Sequence, residues 1–127
     1  MRILGFSKKW AKLHLELPVE QRPPFTIFRF PRKDAPKGRD WHLQEQVQIV
    51  YHPRSKERVV LGIAEFTEQK ESGFTPESIP PSDQEAVADG FRSSIDMTNW
   101  MYSQYKSRIY WQLMYKWTLK WIAADPL

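Results

Sequence analysis

The chain has 127 residues and a formal net charge of +4, and 41% of its residues are apolar, including 14% that are aromatic. The apolar fraction excludes a disordered chain, and the length predicts one domain, residues 1–127, with a single core. The chain contains no cysteine, which excludes disulfides and thiolate zinc sites and predicts a cytoplasmic protein. It also has no apolar run close to the ~18 residues of a membrane span, which excludes a membrane partner.

The first quarter of the chain predicts two strands joined by irregular structure. Residues 1–6 predict the first strand, and Ser7 is placed to cap a short helix over residues 8–13. Three prolines predict a loop over residues 14–24, because proline breaks both helices and strand ladders. Residues 25–29 combine aromatic and β-branched side chains and predict the second strand.

A hairpin is predicted next. Residues 46–51 alternate in polarity, with Gln46, Gln48 and Val50 on the wetter face. Residues 58–66 form a nearly continuous apolar run, so residues 46–66 predict two antiparallel strands. Residues 67–81 are rich in Glu, Ser and Pro and predict a surface loop.

Two helices and a final strand complete the pattern. Ser82 and Glu85 form a capping box that opens one helix, and Gly90 is placed to end it. Ser93 or Ser94 caps the next helix, and residues 115–122 alternate strictly, as a strand does. Strands joined by hairpins and loops, with the helices grouped, predict an α+β fold: a small, mostly antiparallel β-barrel with two or three flanking helices.

Charge is unevenly distributed along this pattern. Residues 22–58 contain nine Arg or Lys against four Asp or Glu, whereas residues 59–99 contain two against eight. Such segregation is typical of a nucleic-acid-binding surface, although two solvated faces that neutralise each other would give the same counts.

The basic half predicts an anion-binding cleft beside the second strand. That strand carries Arg29, and the cations that could contact phosphate are Arg29, Arg32, Lys33, Arg39, Arg54, Lys56 and Arg58. Trp41 and Phe30 lie nearest in sequence to Arg32, Lys33 and Arg39 and could stack on bases. Core packing is the alternative for both rings.

Candidates for acid–base chemistry are few. Asp89, Glu65 and Asp40 could act as acids or bases, and Asp89 could instead form a structural ion pair with Arg29. The three histidines lack the spacing of metal ligands, and no phosphate loop or serine elbow is present, so we expect neither a metal nor a cofactor.

Several short motifs, taken in order, resemble the ASCH domain family of the PUA-like superfamily. The motifs are residues 1–10, residues 25–29, Trp41 followed by residues 45–51, Leu61-Gly62-Ile63-Ala64-Glu65, Ala88-Asp89-Gly90-Phe91 followed by Trp100, and Leu119-Lys120-Trp121-Ile122. The resemblance spans essentially the whole chain. It implies a PUA-like barrel with a cleft beside the strand of Arg29, and RNA or a nucleotide as the ligand.

Some proteins of this family are N4-acetylcytidine amidohydrolases that use a Lys, a Thr and a Glu, and others have been described as ribonucleases. If Arg29 matches the family's Arg, the resemblance puts the Lys position at Pro24, the Thr position at Ile27 and the Glu position near Asp89. Thr26 is one residue from the Thr position and would face the other side of the strand.

Three functions follow from the sequence. The leading hypothesis is binding of RNA or a nucleotide through the basic cleft. The alternatives are a hydrolase, with Asp89, Thr26 and Glu65 as candidate catalytic residues, and a protein-interaction module whose contact surface is the acidic segment 65–89.

Overall fold

The computed structural model of the chain describes residues 1–32, 38 and 40–124. Its strands and α-helices are β1 (Arg2–Phe6), β2 (Phe25–Arg29), β3 (Gln46–Tyr51), β4 (Val59–Ser72), α1 (Asp83–Ala88), α2 (Ser94–Tyr105) and β5 (Met114–Ala123). Short 3₁₀ helices lie at Ala11–Leu13, Val19–Gln21 and Lys106–Tyr110. One sheet accompanied by helices confirms the α+β class.

The five strands form one sheet in the order β1-β3-β4-β5-β2. β3 and β4 pair antiparallel, which confirms the predicted hairpin. β1 pairs with β3 in parallel, from Arg2 opposite Val47 to Phe6 opposite Tyr51. A parallel neighbour requires a long crossover, and the chain between β1 and β3 supplies it.

Two predictions in the hairpin were wrong. β4 continues to Ser72, so the first part of the loop predicted over 67–81 is strand. Residues 67–71 are all exposed and show no alternation, and only the backbone ladder identifies them as strand. Val50, predicted on the wetter face, is fully buried, because the register shifts between Ile49 and Val50 and rotates the following side chain inward.

The segment between β1 and β2 also differs from the prediction. The helix predicted over 8–13 is one 3₁₀ turn that begins after Trp10, with no side-chain cap, so Ser7 does not cap it. A second 3₁₀ turn follows Pro18 inside the predicted loop. Proline's fixed φ suits the entry to such a turn, although it excludes longer regular structure.

The chain divides into two compact units. The first comprises Met1–Phe25, His42–Glu68 and Thr118–Leu127. The ring of Phe25 lies 6.3 Å from that of Phe6 and 5.2 Å from that of Trp121. The guanidinium of Arg22 lies over the Trp121 ring at 4.6 Å and donates to the Leu61 carbonyl at 2.9 Å. Aromatic packing therefore supplies much of this core.

The second unit comprises Thr26–Trp41 and Gln69–Trp117. Its buried core consists of Phe28, Ala86, Met97, Met101, Ile109 and Met114. Met97 and Met101 lie one helical turn apart on α2 and both pack inward. The partly buried side chains packed against this core are Phe30, Phe74, Phe91, Trp100 and Tyr105. Ser93 caps α2 by accepting from the backbone N–H of Asp96.

Candidate functional site

β2 brings two polar side chains to the edge of the second unit's core. Its residues Phe25–Arg29 are aromatic, β-branched or apolar except at Arg29, which favours a buried strand. Ile27 and Phe28 are almost completely buried, whereas Thr26 and Arg29 are half-buried. The two polar groups therefore lie at the boundary between core and solvent.

α1 supplies a buried carboxylate opposite this strand. The helix opens with the predicted capping box of Ser82 and Glu85, and Asp89 is its C-cap residue. Gly90 follows with φ +107°, which confirms its predicted place at the helix end. Asp89 is only 5% exposed, and its Oδ1 accepts a hydrogen bond of 2.9 Å from the hydroxyl of Thr26. The carboxylate is thus held by a partner on β2.

Arg29 lies in the electrostatic field of the same carboxylate. Burial lowers the pKa of Arg29, while interactions with Tyr105 and Asp89 act in the opposite direction and raise it. Nη1 also donates to the Phe28 carbonyl at 3.3 Å. Because the pKa of arginine starts far above neutrality, the guanidinium stays charged at pH 7.

Two aromatic rings and a second arginine lie together where β2 ends, since Phe30 is the residue that follows Arg29. The Phe30 and Tyr105 rings meet edge to face, with centroids 5.0 Å apart. Arg108 places its guanidinium carbon 4.0 Å from the Phe30 ring centroid. We call this group the β2 site, and its members are Thr26, Arg29, Phe30, Asp89, Tyr105 and Arg108.

Sequence reasoning missed Tyr105 and Arg108 as members of the β2 site. Arg108 lies in the 3₁₀ helix Lys106–Tyr110, which follows α2 directly and begins at a residue with φ +55°. No capping motif or periodicity in the sequence predicts that 3₁₀ helix. Residue 108 is recognisable as basic, but it is far from β2 in sequence, so nothing local indicates that it lies beside the Phe30 ring.

Arg32 and Trp41, two other predicted contacts, lie together in the same unit. Arg32 is exposed, and its guanidinium carbon lies 4.9 Å from the Trp41 ring centroid. Trp41 is 7% exposed, so a base could stack on that face only after displacing Arg32. The Asp40 carboxylate accepts from the Trp41 backbone N–H at 2.8 Å, a local turn contact. Lys33 and Arg39 lie outside the described residues.

Four further predicted residues belong to the first unit, namely Arg54, Lys56, Arg58 and Glu65. Arg54 and Lys56 are exposed in the turn between β3 and β4. Arg54 lines a surface pocket of about 480 Å³ together with residues of β1 and the same turn, His52 among them. Glu65 is half-buried on β4 and is paired in register with Gln46.

A salt bridge anchors α1 four residues before Asp89. Lys116 on β5 donates to Glu85 Oε2 at 2.7 Å, and Lys70 lies 3.7 Å from the same oxygen. The hydrogen bond from Lys116 holds the pKa of Glu85 below its ordinary value, while partial desolvation opposes this shift. α1 is therefore tied to β5 through Glu85 and to β2 through Asp89, and these strands are neighbours in the sheet.

The described part of the chain contains neither a metal-binding cluster nor a membrane-spanning helix. Residues 1–32, 38 and 40–124 contain no group of three or more His, Cys, Asp or Glu that could hold a metal ion. None of the helices within those residues is long and apolar enough to cross a membrane.

The fold and site define an α+β protein in which a strand and a short helix share a buried polar contact beside two arginines. The chain matches no protein-family model, no curated protein and no solved structure.

Proposed function

We propose that the chain is an ASCH-type protein with a PUA-like barrel, and that it binds RNA or a nucleotide through the β2 site. The observation that carries the proposal is the Asp89 carboxylate, which is 5% exposed, bonded to Thr26 and in the field of Arg29. Polar groups held in this way at the edge of a core are typical of ligand-reading sites.

The β2 site contains donors and acceptors suited to the edge of a base. A carboxylate accepts hydrogen bonds from exocyclic amino groups, and a guanidinium donates to ring carbonyls. Single-stranded RNA exposes these edges, and its bases stack on aromatic rings or on guanidinium planes such as that of Arg108 over the Phe30 ring. Asp89 and Arg29 therefore supply complementary polarity, with aromatic surface beside them.

Phosphate contacts would come from the arginines around the rings. Arg108 lies over Phe30, and Arg32 is exposed in the same unit. Guanidinium groups bind phosphate through paired hydrogen bonds, and each such contact releases counterions. The lack of cysteine supports a cytoplasmic location, where such a partner is found.

The proposal is tested by titrating the protein with fluorescently labelled single-stranded and structured RNA at two salt concentrations. We expect binding to single-stranded RNA that weakens steeply as salt rises, because phosphate contacts carry part of the affinity. A lack of binding at low salt contradicts the proposal, and so does binding that is insensitive to salt.

Hydrolysis is the second candidate function, favoured by the hydrogen bond from Thr26 to Asp89. A carboxylate that accepts a hydrogen bond from a hydroxyl can raise the nucleophilicity of the hydroxyl oxygen. Its test is incubation with N4-acetylcytidine, or with a labelled RNA for ribonuclease activity, followed by chromatography. Product that is lost in Thr26→Val supports hydrolysis, and no product after hours at high enzyme concentration rejects it.

A further inference from the structure

The second unit contains a pocket on residues that the β2 site does not use. Its volume is about 540 Å³. One wall is formed by residues at and after the end of β4, and the other by residues at and after the end of the last 3₁₀ helix. The lining residues include Glu71, Thr75, Glu77, Ile79, Tyr110 and Trp111. None of these lining residues belongs to the packed core described above.

The apolar side chains of this pocket face solvent. Ile79 is 75% exposed, Trp111 is 69% exposed and Tyr110 is 48% exposed. Tyr102, also exposed, extends the patch, with its ring centroid 5.9 Å from that of Tyr110. Adjacent exposed aromatic rings of this kind mark interaction surfaces, because leaving them in water costs free energy that a partner recovers.

Two carboxylates share the pocket with these rings. The side-chain carboxylates of Glu71 and Glu77 form no hydrogen bond or ion pair with another residue in the described part of the chain. They belong to the acidic stretch 59–99, in which eight Asp or Glu outnumber two Arg or Lys. The pocket therefore combines negative charge with aromatic faces, and both attract a cation.

The wall that carries Glu77 is held in shape by its own hydrogen bonds. The backbone N–H of Ser78 donates to the Thr75 carbonyl at 3.1 Å, and the Thr75 hydroxyl donates to the Ser78 hydroxyl at 2.9 Å. The Ser72 hydroxyl donates to the Ile79 carbonyl at 3.4 Å. A preformed wall loses less conformational entropy when a ligand binds.

We propose that this pocket binds a basic peptide segment of a partner protein, with an arginine or lysine side chain held by Trp111 and Glu77. Charge complementarity selects this occupant. RNA would bring phosphates against Glu71 and Glu77, and an apolar peptide would bury carboxylates without a partner. This interaction is separate from the proposed binding of RNA and does not depend on it.

Binding is tested by fluorescence anisotropy with a short labelled peptide of alternating arginine and glycine. We expect Trp111→Ala and Glu77→Gln each to weaken binding by about three- to tenfold, the range for a cation held by a ring or a carboxylate at a partly exposed site. The matched controls are Glu68→Gln, an exposed carboxylate on β4, and Ile95→Ala, an apolar residue on α2 that is 73% exposed. Both controls should change the affinity less than about twofold.

Several results would overturn the inference. Equal losses in Glu77→Gln and Glu68→Gln would mean that only net charge attracts the peptide. Equal binding of a peptide with leucine in place of arginine would mean an apolar partner. A dimer seen by sedimentation that Trp111→Ala abolishes would identify a second copy of the chain as the occupant.

Failure of the peptide-binding proposal and failure of the RNA-binding proposal can be told apart by measuring both affinities in the same two variants. Trp111→Ala should leave RNA affinity unchanged, and Arg32→Gln should leave peptide affinity unchanged while it weakens RNA binding. Loss of RNA binding in Trp111→Ala would show that the pocket belongs to the RNA surface, which contradicts a separate peptide site. Thermal unfolding of each variant confirms that the exposed substitutions leave the fold intact.

Discussion

The hydroxyl of Thr26 on β2 donates a 2.9 Å hydrogen bond to Asp89, the residue that ends α1. The two residues are 63 positions apart in sequence, and the carboxylate is 5% exposed. A hydrogen bond to a buried charged group contributes more to stability than one between neutral groups, because the charge has given up its water. This contact therefore both holds α1 on the sheet and orients the carboxylate of the proposed site.

Thr26→Val should lower the free energy of unfolding by about 1.5–3 kcal/mol, since the isosteric change leaves the volume filled but removes the donor to Asp89. Urea denaturation measures the difference. Thr67→Val is the matched control, because the Thr67 hydroxyl donates to the Thr118 carbonyl at 3.2 Å from an exposed position. Its cost should stay below about 0.5 kcal/mol. Equal costs for the two variants would contradict the role given to the buried contact.

Lys116→Met should make stability less dependent on pH. The folded-state pKa of Glu85 lies below its ordinary value because of the hydrogen bond from Lys116. A lowered carboxyl pKa means that the unfolded chain binds the proton more readily, so the stabilisation is complete above the unfolded pKa and is lost as pH falls through the folded pKa.

The free energy of unfolding of wild type should thus exceed that of Lys116→Met by about 1 kcal/mol at neutral pH. This difference should narrow at pH values below about 4. Urea titrations at several pH values measure this gap. Lys120→Met, at an exposed position of the same strand, is the control and should show no such trend. A gap that widens in acid would reverse the assigned sign.

Gly62→Ala should destabilise the protein by about 2–3 kcal/mol through overpacking and backbone strain. Gly62 has φ +145°, and an added Cβ would lie 2.8 Å from Cζ3 of Trp121 and 3.0 Å from the Ala123 carbonyl oxygen. Thermal or urea unfolding measures the cost. A loss below about 0.5 kcal/mol would mean that the Trp121 ring moves aside freely.

Local rules predicted the elements that local chemistry determines. Ser82 with Glu85 identified the start of α1, and strict alternation identified β5, because caps and pleats depend on neighbours in sequence. The extension of β4 to Ser72 was missed, since exposed strand residues carry no apolar period. Burial of Val50 was missed because a register shift depends on the partner strand.

The site was only partly visible in the sequence. Arg29 and Asp89 could be named from their residue types and from motifs on either side. The residue of β2 that faces Asp89 could not be named from the sequence, because it depends on how α1 crosses the strand. In the structure this residue is Thr26. Arg108 reaches the Phe30 ring through the turn after α2, a tertiary arrangement without a local signal.

The most direct test of the proposed RNA binding is a comparison of RNA affinities across a range of salt. It compares wild type with Arg108→Gln in the β2 site, Arg32→Gln outside it and the control Lys120→Gln. Each of the first two variants should weaken binding and reduce the slope of log affinity against log salt by about 0.7, the value for one lost phosphate contact to a single strand. Lys120→Gln removes one exposed charge from β5 and should match wild type. If the three variants lose affinity equally, or if none does, RNA does not bind at the β2 site.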